Sequence, residues 1–204
     1  MGFGLLLMGY FAVNMIAIYP PLSAAMLIGY GLMVVAFFRL TPYHKLFYQC
    51  RNLSFLALPF AVYYTVYGLT TIHVLPEIAL FTSALDAAVD WAYFAYTLLL
   101  QLLLLYAVFR LSQELEIVKL QAGALRNMIF VVIYHLFYLF AKLPFAFIQN
   151  NVGLLSLPIA ILRLVCVFCN LWLFYCCYRT ILPEGSDTTP QLPNLMGSVR
   201  NKEK

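Results

Sequence analysis

The chain predicts an all-α polytopic membrane protein, with six transmembrane helices in three hairpins and both termini cytoplasmic. The first observation behind this is composition: hydrophobic residues make up 64% of the 204 and charged residues 10%, against about 45–50% and roughly 25% in soluble domains. The second is length. Apolar segments at 2–18, 22–38, 53–74, 84–109, 128–149 and 155–178 each match or approach the roughly 17–25 helical residues that cross a hydrocarbon core. The third is the placement of Lys and Arg. Arg39, Lys45 and Arg51 follow span 2, Arg110, Lys119 and Arg126 follow span 4, and Arg179, Arg200, Lys202 and Lys204 follow span 6, while 19–21, 75–83 and 150–154 have no Lys or Arg. By the positive-inside rule the basic connections are cytoplasmic.

Taken in order, the first two spans are the shortest, and Pro20-Pro21 between them cannot continue a helix. No Lys or Arg precedes the first apolar run, and Ser23-Ala24-Ala25 is a weak cleavage site, so it reads as a span and not a signal peptide. Gly2, Gly4, Gly9, Gly29 and Gly31 read as packing contacts in this hairpin. Residues 39–52 mix basic and aromatic side chains (Tyr43, Phe47, Tyr48) and read as a headgroup-level anchor in which His44 is solvated. Pro59 in span 3 and Pro144 in span 5 should kink their helices.

After span 4, Leu111, Leu115, Val118, Ala122 and Leu125 recur at steps of four and three, the pattern of an amphipathic helix over 110–127. It keeps the phase of span 4, so one helix is expected from Ala84 to Gly123, about 58 Å long and projecting into the cytoplasm. Residues 1–179 thus form a six-helix transmembrane domain. Residues 180–204, with three prolines and few large apolar side chains, read as a disordered cytoplasmic tail.

Charges inside the last three spans are the functional signal. A charged residue at mid-span costs about 2.5–3.5 kcal/mol on insertion scales, so it must be paired, hydrated or functional. On span 4, Asp86, Asp90, Tyr93, Thr97 and Gln101 share one face, and Ala84, Ala88 and Ala95 the opposite one, where they would allow a neighbouring helix to come close. Span 5 repeats the polar stripe with His135, Tyr138, Lys142 and Gln149, and span 6 with Ser156, Arg163, Asn170 and Cys177. Counting at about 1.5 Å per residue, Asp90, Lys142 and Arg163 each lie about 10 Å in from the outer face. The expected pairing is Asp90 with Lys142 or Arg163, and His135 with Asn170 or Gln101. Asn14, Tyr63, Tyr67 and His73 from the other hairpins would complete an outward-facing polar pocket.

Enzymatic chemistry finds little support. Cys166-Val-Phe-Cys169 has the CxxC spacing of thiol redox enzymes, but its flanks are apolar and do not stabilise a thiolate. His73 and His135 lie at different depths and cannot flank one haem iron. There is no HExxH, no Gly-x-Ser-x-Gly and no phosphate loop, so neither a cofactor nor a metal is expected, and the chain is read as non-enzymatic. The expectation is a multi-pass cell-membrane protein moving a small polar solute or a proton, or a permease subunit. The alternatives are a sensor that signals to a cytoplasmic partner through the helix at 110–123, and a structural accessory protein. Partners are the lipid bilayer, a small polar ligand and a cytoplasmic or membrane protein, but no nucleic acid.

Overall fold

In a computed structural model, residues 2–17, 19–76, 82–142 and 152–181 are described; Pro144, Gln149 and the tail from 182 onward lie outside them. The described residues form helices joined by turns, with no strand among them. Helix α1 (Gly2–Phe11) runs on into a π-helical turn (Ala12–Ile16), and a short 3₁₀ turn (Pro20–Leu22) leads to α2 (Ala24–Leu40). Then come α3 (Leu46–Thr71), α4 (Ser83–Glu114), α5 (Val118–Lys142) and α6 (Val152–Thr180). Four of these, α3 to α6, are long and apolar enough to cross a membrane, while Gly2–Ile16 and Ala24–Leu40 are shorter apolar helices.

Each helix packs on its neighbours in chain order, and α6 returns against α1, so the bundle closes into a ring. At the α1–α6 seam Tyr10 meets Phe174 edge-on, with centroids 5.3 Å apart. Directions alternate: Gly2 abuts Leu40 of α2, and Gly4 abuts Tyr178 of α6. Both described chain ends therefore lie at the same end of the bundle as the turns at 41–45 and 115–117. This is the closed end, and α1 with its π-helical turn, α3 and α5 each end at the opposite, open end.

The two short helices stay together by close approach. A Cβ on Gly9 would come within 2.7 Å of the Gly29 carbonyl oxygen, and one on Gly29 within 2.9 Å of that of Gly9. Small residues allow such backbone contact where the solvent is hydrocarbon and apolar burial alone does not drive association. Gly2, Gly9 and Gly29 thus act as expected, whereas a Cβ on Gly31 would meet nothing within 4 Å.

The closed half has a dry core of Leu6, Phe37, Leu40, Phe47, Leu105, Val108 and Phe174, all nearly inaccessible. Around its rim the helices overrun the expected spans, so Arg51, Arg110, Lys119, Arg126 and Arg179 sit on helical turns and not in loops. Helix α4, with 32 residues, is about 48 Å long at 1.5 Å per residue, well over a hydrocarbon core of about 30 Å. Arg51 lies over the rings of Tyr48 (4.3 Å) and Phe38 (4.6 Å), a cation–π anchor of the kind the basic aromatic segment predicts.

Three expectations change here. The long helix from Ala84 to Gly123 is two helices, since α4 stops at Glu114 and α5 starts at Val118. Glu116 adopts a left-handed backbone (φ 56°), and the Ile117 amide bonds back to the Ser112 carbonyl (2.9 Å). The reversal lets α5 lay Leu120, Ala124, Asn127, Val131 and His135 against the bundle, while Leu115, Val118 and Leu125 of the supposed apolar stripe stay exposed. Packing on the preceding helix outweighs the local heptad pattern. Second, Ala84, Ala88 and Ala95 are exposed and are not buried against a neighbouring helix among the described residues. Third, His44 is not solvated: its Nδ1 accepts from the Leu46 amide (3.1 Å), and its Nε2 lies 3.4 Å from Glu114. That contact ties the α2–α3 turn to the end of α4. Pro59 lies within α3, as does Pro158 within α6.

Candidate functional site

Helix α4 begins with Thr82 in extended conformation, its hydroxyl accepting from the Leu85 amide (3.3 Å), an N-cap that fixes where the helix starts. That start places Asp86 in the first turn, where a carboxylate complements the helix dipole, and Asp90 one turn further on. Both acids then meet α3. The Tyr63 hydroxyl donates to Asp86, and the Tyr64 hydroxyl to Asp90 at 2.7 Å. The expected ion pairs are absent: no described carboxylate lies within 4.0 Å of a nitrogen of Lys142 or Arg163. The reason is geometric, because α3 packs beside α4 and brings tyrosine hydroxyls to the acids first. Lys142 instead lies over the Tyr138 ring, 5.6 Å from its centroid.

These side chains surround adjoining spaces that become smaller towards the closed end. At the open end a vestibule of about 300 Å³ is bounded by Ser23, Met26, Tyr67, Thr71 and Arg163. Next is a cavity of about 150 Å³ between α1, α4, α5 and α6, walled by Tyr10, Asn14, Asp90, Tyr93, Gln101, Tyr134, His135, Tyr138 and Arg163. Val13, Tyr64, Tyr93 and Arg163 border both spaces. Beyond Asn14 and Gln101 only about 20 Å³ remains, against Tyr30, Met33, Leu100 and Leu104, where the dry core begins. A separate groove of about 330 Å³ opens between α4 and α5 beside Asp86, Ala87, Asp90, Trp91 and Lys142. Asp90 borders both the cavity and this groove.

The residues expected from the stripes divide cleanly. Asp90, Tyr93, Gln101, His135, Tyr138 and Arg163 wall the cavity together. Asp86 and Lys142 belong to the groove, Tyr67 to the vestibule. Asn170 is buried behind the wall, where its amide donates to the Tyr10 hydroxyl (2.8 Å) and its Oδ1 has no partner. His135 does not pair with Asn170 or Gln101: its Nδ1 lies 2.8 Å from the Val131 carbonyl one turn back. A carbonyl only accepts, so Nδ1 carries the hydrogen, and in the neutral ring Nε2 is an acceptor. Of the added residues, Asn14 reaches the cavity, whereas His73 ends α3 in a left-handed, exposed position.

No known family model, curated protein or solved structure matches this chain. The site therefore rests on its own geometry.

Tyr10, Tyr64, Phe94, Tyr134 and Cys166 belong to the site but were not foreseen. Tyr64 donates to Asp90, and Phe94 stacks on Tyr138 with centroids 5.3 Å apart. Tyrosine is the commonest polar residue of these helices (15 in the chain), so its pattern alone singles out no position. Asn14 sits in the π-helical turn, closed by the Ala17 amide on the Ala12 carbonyl (3.0 Å). Such turns recur at functional sites because they displace a side chain from the regular helical face. Cys166 of the CxxC donates to the Phe130 carbonyl (3.3 Å), and Cys169 supplies the carbonyl that accepts from Asn127 (2.8 Å), so both tie α6 to α5.

Proposed function

We propose that this is a non-enzymatic, multi-pass cell-membrane protein in which all six helices span the bilayer and residues 1–179 form one transmembrane domain. Both termini are cytoplasmic, and the cavity takes up a small polar solute or proton from outside for transport, alone or as a permease subunit. The orientation rests on the ring of Arg39, Lys45, Arg51, Arg110, Lys119, Arg126 and Arg179 at the closed end, which by the positive-inside rule faces the cytoplasm.

The observation that carries the proposal is the tapering cavity whose acid and base are not paired with each other. Charges that served only to fix helix packing would neutralise one another directly. Here Asp90 and Arg163 instead face a common space large enough for about five water molecules, at roughly 30 Å³ each. A wide outer vestibule above a narrow, apolar closed end is the shape of an outward-open transport intermediate. The sensor reading lacks its relay, because the helix that would carry a signal inward stops at Glu114.

The test is flux in reconstituted vesicles, with a pH-sensitive dye inside for protons and labelled solutes otherwise. Asp90→Asn keeps an acceptor for Tyr64 and is expected to cut flux at least tenfold while the protein still elutes as a monodisperse species. Wild-type flux in that variant would refute the transport role of this site.

A further inference from the structure

The cavity's two charges differ in what surrounds them, and the difference defines the occupant. We infer that the site takes a small zwitterion of the α-amino-acid type, its carboxylate against Arg163 and its ammonium against Asp90. This inference rests on the transport reading for its purpose but not for its chemistry.

Arg163 faces both the vestibule and the cavity, has no described carboxylate within 4.0 Å and is only partly accessible. A guanidinium at this depth seeks an anion, and its planar donors fit a carboxylate with two parallel hydrogen bonds. Asp90 engages one donor, the Tyr64 hydroxyl, through Oδ1. Phe94 and Tyr138 border the same space, and the Lys142 ammonium 5.6 Å from the Tyr138 centroid shows ring and ammonium already meeting beside it.

Three occupants can be weighed. A simple anion would satisfy Arg163 and add repulsion at Asp90. A simple cation would do the reverse. A molecule carrying both charges compensates both, whereas a singly charged one leaves either the acid or the base without a counter-charge. Size agrees with the smallest members of this class, since about 150 Å³, room for about five waters at roughly 30 Å³ each, admits a solute of about five or six non-hydrogen atoms.

The experiment is equilibrium binding to the full chain in lipid nanodiscs, measured by calorimetry. The probes are glycine, alanine and leucine, with acetate and methylammonium as the two halves, at fixed ionic strength. At least one amino acid should bind ten times more tightly than either half. Asp90→Asn should erase that advantage over acetate, and Arg163→Gln the advantage over methylammonium, with thermal melts confirming that both variants are folded. The proposal is overturned if no amino acid binds, if either half binds as tightly as the amino acids, or if both variants retain the tenfold preference. Should a variant fail to fold, the wild-type comparison among amino acids and halves still decides. Amino-acid binding without flux would remove the transport reading and keep this one. Proton flux without amino-acid binding would do the opposite.

Discussion

The closed half and the open half of this bundle use the same helices for opposite ends. In the closed half, facing positions carry Leu6, Phe37, Leu40, Phe47, Leu105, Val108 and Phe174, packed without access to water. About one to four turns further along α1, α4 and α6, the positions carry Tyr10, Asn14, Asp90, Gln101 and Arg163, and the packing opens into a cavity. The switch is abrupt on α4, where Leu104 is buried and Gln101, one turn earlier, borders the cavity. Rigidity at one end holds the helices at fixed separations so that the other end can stay open, an arrangement a uniformly apolar bundle would lose by collapsing.

That contrast can be broken at the α1–α2 contact. Gly29→Leu puts a side chain where even a Cβ would stand 2.6 Å from Val13 and 2.9 Å from the Gly9 carbonyl. Because the obstacle is partly backbone, both halves should come apart, and no monodisperse protein should survive size exclusion. Recovery of a normally melting Gly29→Leu protein would show that the two short helices do not depend on that approach.

A smaller loss tests the dry half alone. Phe174 is fully buried beside Tyr10, and its truncation to Ala should cost about 3–5 kcal/mol by removing contacts that a rigid surround cannot replace. In chemical denaturation this appears as a lower midpoint with an unchanged slope. A cost below about 1 kcal/mol would mean that the closed half is plastic.

Hydrogen bonds sharpen the comparison, because water can replace a lost partner in only one half. Asn127, 1% exposed, donates to the Cys169 carbonyl in the closed half. Asn127→Leu removes that buried bond between α5 and α6, while the Cys169 carbonyl keeps its helical partner, and should cost about 1–1.5 kcal/mol. Tyr64→Phe removes the donor to Asp90 in the open half, where solvent reaches the carboxylate. It should cost under about 1 kcal/mol. Equal costs for the two, measured in the same denaturant series, would argue that the cavity is dry.

The smallest effect lies in an exposed turn at the tip of the closed end. Glu116 has φ 56° in the α4–α5 turn, a conformation that costs a non-glycine residue about 1–2 kcal/mol. Glu116→Gly should raise stability slightly, offset by the extra freedom glycine gains in the unfolded chain, whereas Glu116→Val should lower it. The reverse order would mean that the turn is not held in the left-handed region.

Much of the candidate site could be read directly from helical spacing. Asp90, Tyr93 and Gln101 share a face by arithmetic, and so do His135 and Tyr138 on α5; charge is too costly in lipid for such faces to point outward, so their convergence follows. Asp90 and Arg163 share the cavity, whereas Lys142, counted to the same depth, borders only the groove. The sequence could not say which neighbour each charge would meet. Pairing acids with bases assumes that only α4, α5 and α6 take part, but α3 packs against α4 and supplies Tyr63 and Tyr64 first. The same blindness explains His135, whose nearest acceptor is on its own helix.

Composition, span length and the segregation of Lys and Arg determined by themselves that the chain is helical and suited to a membrane, because hydrocarbon admits few other ways to satisfy a backbone. Periodicity fixed which faces are polar. Tertiary structure alone decided that α6 closes against α1, that the helix after Glu114 turns back, and that tyrosines stand between the acids and the bases. Each of these depends on contacts between residues far apart in the chain, and local spacing carries no information about the distance between two helices.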